Sequence, residues 1–208
     1  TMKCSKNDPR YEVRRALELK EIWRKFDIGF DVHSLLQESD GMIMNIGTVH
    51  PHLIRGFPIT NIITNIENIQ VGKPAVSFYG DGSASVMGIE AGSHESPQAF
   101  MRAIACTDAL LKNLWMIEGV AEACGRKYNE YLVDGALMFP DASYSLVRPF
   151  PTFETFMMGE KIASNGKHDI LAPFTGHSIF APPGKTTVKN LKEEVMFYLQ
   201  PPKVITVE

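Results

Sequence analysis

The hydrophobic period of this chain changes near residue 129, and that change constrains its folding more than any other feature. Up to that point apolar residues recur at helical steps, separated by short apolar runs. Beyond it prolines fall at 140, 149, 151, 173, 182, 183, 201 and 202, and the apolar residues come in short strand-like segments. The pattern predicts an α/β part over 1–128 and a small all-β domain over 129–208. With 208 residues the chain has room for one domain and an appendage. At that size it buries roughly 70% of its unfolded surface and needs no disulfide scaffold. Being 44% hydrophobic and 22% charged, it is neither collagen-like nor disordered. A net charge of -3 argues against a general nucleic-acid or anionic-membrane surface. No apolar run approaches the ~20 residues of a bilayer span, and Thr1 to Asp8 contain no signal-peptide core. Three cysteines, Cys4, Cys106 and Cys124, without a Cys-x-x-Cys pair, are expected to be reduced thiols in a cytoplasmic protein.

Within the first part, Ala16, Leu19, Trp23 and Phe26 share one face of a helix predicted over 11–26. Ile28 to Val32 reads as a short buried strand, and Met42 to Ile46 as a second. Apolar residues at 59, 62, 63, 66 and 69 predict a helix over 59–69. Ala75 to Phe78 reads as a weak strand, followed by turn chemistry at Tyr79-Gly80-Asp81-Gly82. Ser85 to Ile89 is a buried strand ending at Glu90. Ser96 and Pro97 then supply an N-cap and a first helical residue for a helix to about Glu118. Its predicted apolar face comprises Phe100, Ala103, Ile104, Leu110, Leu111, Leu114 and Trp115. Later, Asn165-Gly166 between Lys161–Ala163 and Asp169–Leu171 predicts a two-residue hairpin, and Val195 to Leu199 a closing strand.

Two residues stand out as carriers of chemistry. His33, in Asp31-Val32-His33, falls at a strand end, at the carboxyl edge where open α/β sheets place ligands. Imidazole is the commonest metal ligand, and a nearby carboxylate can orient it; the alternative is a loop histidine that only hydrogen-bonds. Glu90 ends an apolar strand among glycines, where desolvation raises a carboxyl pKa toward general-base work. The bland alternative is a structural glutamate bonded to backbone amides. His50 and His52 flank a proline in a loop, His94 and Glu95 precede a helix, and Arg55, Arg102 and Arg148 are carboxylate-clamp candidates among which the sequence does not choose. Cys106 reads as core, and no phosphate-binding glycine pattern occurs.

In order and spacing these pieces resemble the succinylglutamate desuccinylase/aspartoacylase family of the zinc carboxypeptidase superfamily. Asp8 to Ala16 looks like the helix before the family's third zinc ligand, and Phe30-Asp31-Val32-His33-Ser34 matches the strand bearing it. Gly88-Ile89-Glu90-Ala91-Gly92 is similar to the family's Gly-x-Glu-x-Gly segment. Met158 to Ala163 and Ile170 to Pro173 resemble its C-terminal β-domain. The resemblance implies a zinc-carboxypeptidase-like mixed sheet flanked by helices, with the N-terminal part missing, and a small all-β domain. It implies one zinc ion with His33 as a ligand, Glu90 as the catalytic carboxylate and Tyr198 as a substrate-contacting residue, although a tyrosine in a β-core strand is the equal alternative.

One departure shapes the functional expectation. The family's other two zinc ligands lie in a His-x-x-Glu pair, which occurs nowhere in this sequence, and its Asp-Leu-Asn-Arg substrate segment is also absent. The chain is thus expected to be part of a longer enzyme or one half of a split one, rather than a decayed copy. It is expected to associate with itself or with the missing part. The activity implied is zinc-dependent deacylation of an N-acyl amino acid or similar small amide. A metallocarboxypeptidase acting on peptides would share the metal and the carboxylate. A non-catalytic binding or carrier module is the reading of another class. Ala172-Pro173-Phe174-Thr175-Gly176 and Ala181-Pro182-Pro183-Gly184 resemble biotinyl/lipoyl barrels, but no Met-Lys-Met-like lysine accompanies them.

Overall fold

A computed structural model describes residues 9–23, 25–46, 50–69, 85–122, 125–182 and 194–207. The expectations for 75–82 and for Cys4 and Cys124 lie outside those residues. Helix α1 (Tyr11–Trp23) leads into strands β1 (Ile28–Leu35) and β2 (Met42–Ile46), the short helix α2 (Pro51–Ile54), strand β3 (Asn61–Thr64) and the short helix α3 (Ile66–Ile69). Strand β4 (Ser85–Ser93), helix α4 (Pro97–Asn113) and the long strand β5 (Arg126–Leu137) follow. The remainder is β: β6 (Ser145–Leu146), β7 (Thr155–Phe156), β8 (Lys161–Ser164), β9 (Asp169–Leu171), β10 (Gly176–Ile179), β11 (Met196–Leu199) and β12 (Lys203–Val207). The principal sheet runs β1-β4-β2-β3-β5-β11-β10-β7, with β12 also on β5, and β6-β8-β9 form a separate small sheet. Pairing is parallel for β1·β4, β2·β3 and β3·β5 and antiparallel elsewhere, so the sheet is mixed, with helices packed on it.

Strand β5 belongs to both halves. Its first residues pair with β3 and β12, and its last with β11. The chain's last described strand, β12, therefore returns to the α/β half, and β11 is an interior strand rather than the closing one. One core cluster packs α2 and α4 on one face of the sheet, through Ile43, Ile62, Met87, Ile89 and Cys106. A second, with Phe150, Phe156, Ile162 and Tyr198, fills the β half; a third, with Met42, Ile63, Tyr131 and Phe197, lies between them on the opposite sheet face. Burial pushes the Cys106 thiol up to about 12, which leaves it inert, as expected for a core cysteine.

Several elements differ from the sequence expectations, each for a definable reason. Residues 59–69 form β3 and the single turn α3, not one helix. Ile62 and Ile63 are both fully buried, one in each of two cores, so the strand is apolar on both faces and its spacing imitates a helical stripe. Strand β1 is not a buried strand: it lies at the sheet edge, and only Gly29 and Leu35 within it are buried. Strand β4 continues three residues past Glu90. Helix α1 ends at Trp23 with no residue buried, so its apolar stripe is not a core face. The Gly166 turn is displaced by one: Asn165 N–H bonds His168 O, which puts Gly166, with φ 84°, at the first central position.

Helix α4 buries Ala99, Cys106, Ala109 and Leu110, while Phe100 and Ile104 face outward. The small residues win that face because they let the helix lie close on Met87, Ile89 and Ala91 of β4. The helix also stops five residues early. Met116 N–H bonds Leu111 O and Trp115 N–H bonds Lys112 O, a Schellman closure with Trp115 left-handed at φ 58°. Glycine normally occupies that position, so the stop carried no sequence signal. The Trp115 side chain is 92% exposed and contributes little packing. Trp115→Gly is expected to raise stability by about 0.5–1 kcal/mol, read from urea melts, because it relieves the left-handed strain. A destabilised variant would contradict that assignment.

Candidate active site

Parallel pairing of β1 with β4 sets His33 directly beside Glu90. Paired residues of adjacent strands point to the same sheet face, and residues two apart in one strand share it, so Asp31 joins them. The His33 Nε2 lies 2.9 Å from Asp31 Oδ2. Opposite Asp31 the chain has Gly88, where an added Cβ would come within 3.3 Å of the Met44 side chain. Register shifts between His33 and Leu35, and His94 holds the irregularity from two sides. Its backbone N–H bonds Leu35 O at 2.8 Å, and its ring Nδ1 lies 2.6 Å from Ser34 Oγ. Three steps along β4, from Glu90 to Ser93, oppose two along β1, from His33 to Leu35, so the extra residue lies in β4 just after Glu90.

The two halves of the pair stand in different environments. His33 is on the edge strand and half exposed. Its hydrogen bond to Asp31 raises its pKa above the ordinary histidine value, against the lowering effect of partial burial. Glu90 is on a strand flanked by β1 and β2, and only 8% of it is exposed. Burial drives its pKa up to about 7, with His33 opposing and Asp31 adding to the rise. Its Oε2 is buried with no hydrogen-bond partner. The bland alternative for Glu90, a carboxylate tied to backbone amides, does not describe that oxygen. Gly41 makes the close packing possible: at φ 89° it sits where a Cβ would come 2.8 Å from the Glu90 carbonyl oxygen.

The other candidates are elsewhere. Tyr198 lies in the β-half core, its ring 5.4 Å from Phe156 and 6.1 Å from Phe174, and burial pushes its hydroxyl up to about 12. His50 and His52 lie at the start of α2 with their rings 5.8 Å apart. Arg148 bridges Glu154 and Glu160 and stacks on Phe150, a structural set of contacts. Arg55 Nε is buried without a partner. Arg102 binds Asp40 at 2.9 Å and the Ser39 and Ala91 carbonyls at 3.3 Å, so it ties α4 to the loop after β1.

A carboxylate-oriented imidazole can serve as a metal ligand, and a buried carboxylate with a partner-free oxygen can carry a proton. A catalytic zinc, however, takes three protein ligands. Among the described residues no three His, Cys, Asp or Glu side chains group to hold a metal. These residues do not make a zinc centre by themselves.

Sequence reasoning missed the residues that continue the site along the sheet. Met42 pairs with Glu90, Ile43 with Ile62, and Asn61 with Asn129, so His33, Glu90, Met42, Asn61 and Asn129 form one row on one face. Asn61 opens onto a cleft of about 510 Å³ that Ser39, Ser96, Arg102, Thr152 and Phe153 also line. Phe153, at φ 64°, stacks its ring 4.9 Å from that of Tyr131. No local pattern marks these positions, because the row exists only once strand order and register are fixed.

Comparison with solved structures places this arrangement in a known fold. Succinylglutamate desuccinylase from Vibrio cholerae superposes with a TM-score of 0.70 at 15% identity, over 96% of this chain and 65% of that one. A succinylglutamate desuccinylase/aspartoacylase from Rhodobacter sphaeroides gives 0.65 at 18%, over 95% and 66%. Murine aminoacylase 3 gives 0.65 at 17%, over 98% and 74%. The chain thus has the fold of the succinylglutamate desuccinylase/aspartoacylase structures, the family its sequence resembles, and it spans about two thirds of the length of the first two. No family model matches the sequence, and no curated protein matches it.

The raised Glu90 pKa has a measurable cost in the metal-free chain. The folded state binds the proton more tightly than the unfolded state, whose carboxyl titrates near 4.5, so stability is full below that value and falls as pH rises through about 7. A rise of this size corresponds to roughly 3 kcal/mol. With chelator present, Glu90→Gln is expected to match the parent near pH 4 and exceed its melting temperature at pH 8. Equal melting temperatures at both pH values would show that Glu90 is not desolvated.

Proposed function

We propose that the chain is the Glu90-bearing part of a hydrolase of the desuccinylase/aspartoacylase type, cleaving a small N-acyl amino acid or similar linear amide. The observation that carries this reading is the His33–Glu90 register pair, with Glu90 held near pKa 7, inside a fold shared with desuccinylase and aminoacylase structures. A carboxyl poised at that value can take a proton from an attacking water and return it to a departing amine within one turnover. The unpartnered Oε2 is the atom available for that transfer. Asp31 fixes the orientation of the His33 ring, and the His94 contacts fix the backbone that carries it.

Glu90→Gln keeps the shape and removes the proton carrier, so turnover of an N-acyl amino acid is expected to fall by about 10²–10⁴-fold. Turnover unchanged by this substitution would remove Glu90 from the mechanism. A catalytic zinc belongs to the same reading, with its remaining ligands supplied from beyond the described residues. The chain washed gently with chelator is therefore expected to retain well under one zinc per chain by elemental mass spectrometry. Retention of a full equivalent would mean that a ligand set is completed by residues other than those described.

A further inference from the structure

We infer that Asn61 is a substrate-positioning residue, whose side-chain amide donates a hydrogen bond to an oxygen acceptor of the bound acyl amino acid, with Asn129 holding that amide in place. The inference rests on the deacylase reading and deepens it. Asn61 and Glu90 share one face and one row, with Met42 between them. Adjacent strands are about 4.8 Å apart, so the two backbones are separated by roughly 10 Å along the row. Met42 is fully buried and offers no polar group, so Asn61 is the next polar position along the row from Glu90.

The amide chemistry is fixed by one contact. Asn129 Nδ2 donates to Asn61 Oδ1 at 3.2 Å, and Asn129 N–H bonds the Thr60 carbonyl at 2.8 Å, so Asn129 is itself anchored to the strand that carries Asn61. With its oxygen engaged, Asn61 presents Nδ2 and its two hydrogens. Asn61 lines the cleft together with Ser39, Asp40, Ser96, Arg102 and Phe153. The acceptor this donor meets is the carbonyl of the acyl group or a carboxylate of the substrate, groups that share the same oxygen chemistry. Beside a proton carrier at Glu90, such a bond fixes where the scissile amide stops.

The test follows the Asn61 side-chain amide by NMR while the metal-free chain is titrated with N-acetylglycine, N-acetylglycinamide or N-succinylglycine. The expected result is a selective shift of the Asn61 amide, with Asn61→Ala weakening binding by about tenfold. A shift with all three ligands identifies the acyl carbonyl as the acceptor, and loss of the shift with N-acetylglycinamide identifies the amino-acid carboxylate. In an assembly that turns over, Asn61→Ala is expected to raise KM by about tenfold with a far smaller change in kcat. Asn61→Asp, which keeps the size and the bond from Asn129 but removes the donor, guards against a folding defect and is expected to behave alike. Binding and KM unaffected by either variant overturn the role of Asn61 and leave the hydrolase reading standing. Failure of every ligand to bind overturns the role of Asn61, and failure of an assembly with a complete zinc ligand set to hydrolyse any of them overturns the hydrolase reading.

Discussion

Parallel pairing between β1 and β4 is the constraint on which the site depends. Parallel neighbours need a crossover between them, and here the chain lays down β2, α2, β3 and α3 before returning as β4. When it returns it inserts between β1 and β2, which makes β4 an interior strand and leaves β1 at the edge. The two members of one register pair thereby acquire opposite electrostatics. Glu90 is covered from both sides and is driven toward its neutral form, while His33 remains open and is pulled toward its charged form by Asp31. A buried carboxylate beside a half-exposed imidazole thus follows from strand order and register, and Asp31 orients the imidazole.

Close backbone approach is the second requirement. Gly41 lies against the Glu90 carbonyl, and Gly92, at φ 128°, places its α-carbon where a Cβ would meet both the Ser39 carbonyl and the Arg102 guanidinium at 2.9 Å. Arg102 then joins Ser39, Asp40 and Ala91 into one ledge at the end of the sheet. The glycine of Gly-x-Glu-x-Gly after the carboxylate thus serves the loop beside the site, and the glycine before it makes room opposite Asp31.

What the sequence disclosed depended on whether its signal was local. β2 and the start of α4 carry local signals, and both lie where they were expected. His33 and Glu90 were legible as candidates because each sits in a short pattern. β3 was misread because a strand buried on both faces and a helix stripe share the spacing of Ile59, Ile62, Ile63 and Ile66, and only its neighbours β2 and β5 decide between them. The end of α4 was illegible because a tryptophan occupies the left-handed position that glycine usually marks. Asn61 and Asn129 were invisible for a different reason: each is an unremarkable asparagine until β3 and β5 pair in register.

The continuity of β5 makes the two halves of the chain one device. A strand that pairs with β3 at one end and β11 at the other transmits a fixed orientation from one sheet region to the next. Side-chain bonds lock that orientation beside the site: Thr152 Oγ1 donates to Gln37 Oε1 at 3.0 Å, and Gln37 Nε2 donates to the Ala181 carbonyl. Gln37 follows β1 by two residues, so the β half is anchored to the segment that carries His33. Phe153, next to Thr152, is bound at its N–H by the Ser178 carbonyl and held left-handed with its ring on Tyr131. Strain of that kind persists only where surrounding contacts over-determine it. Here those contacts set an aromatic wall from the second half of the chain across the cleft that Asn61 enters from the first. The β half is therefore a structural part of the cleft, and its packing shapes what the cleft admits.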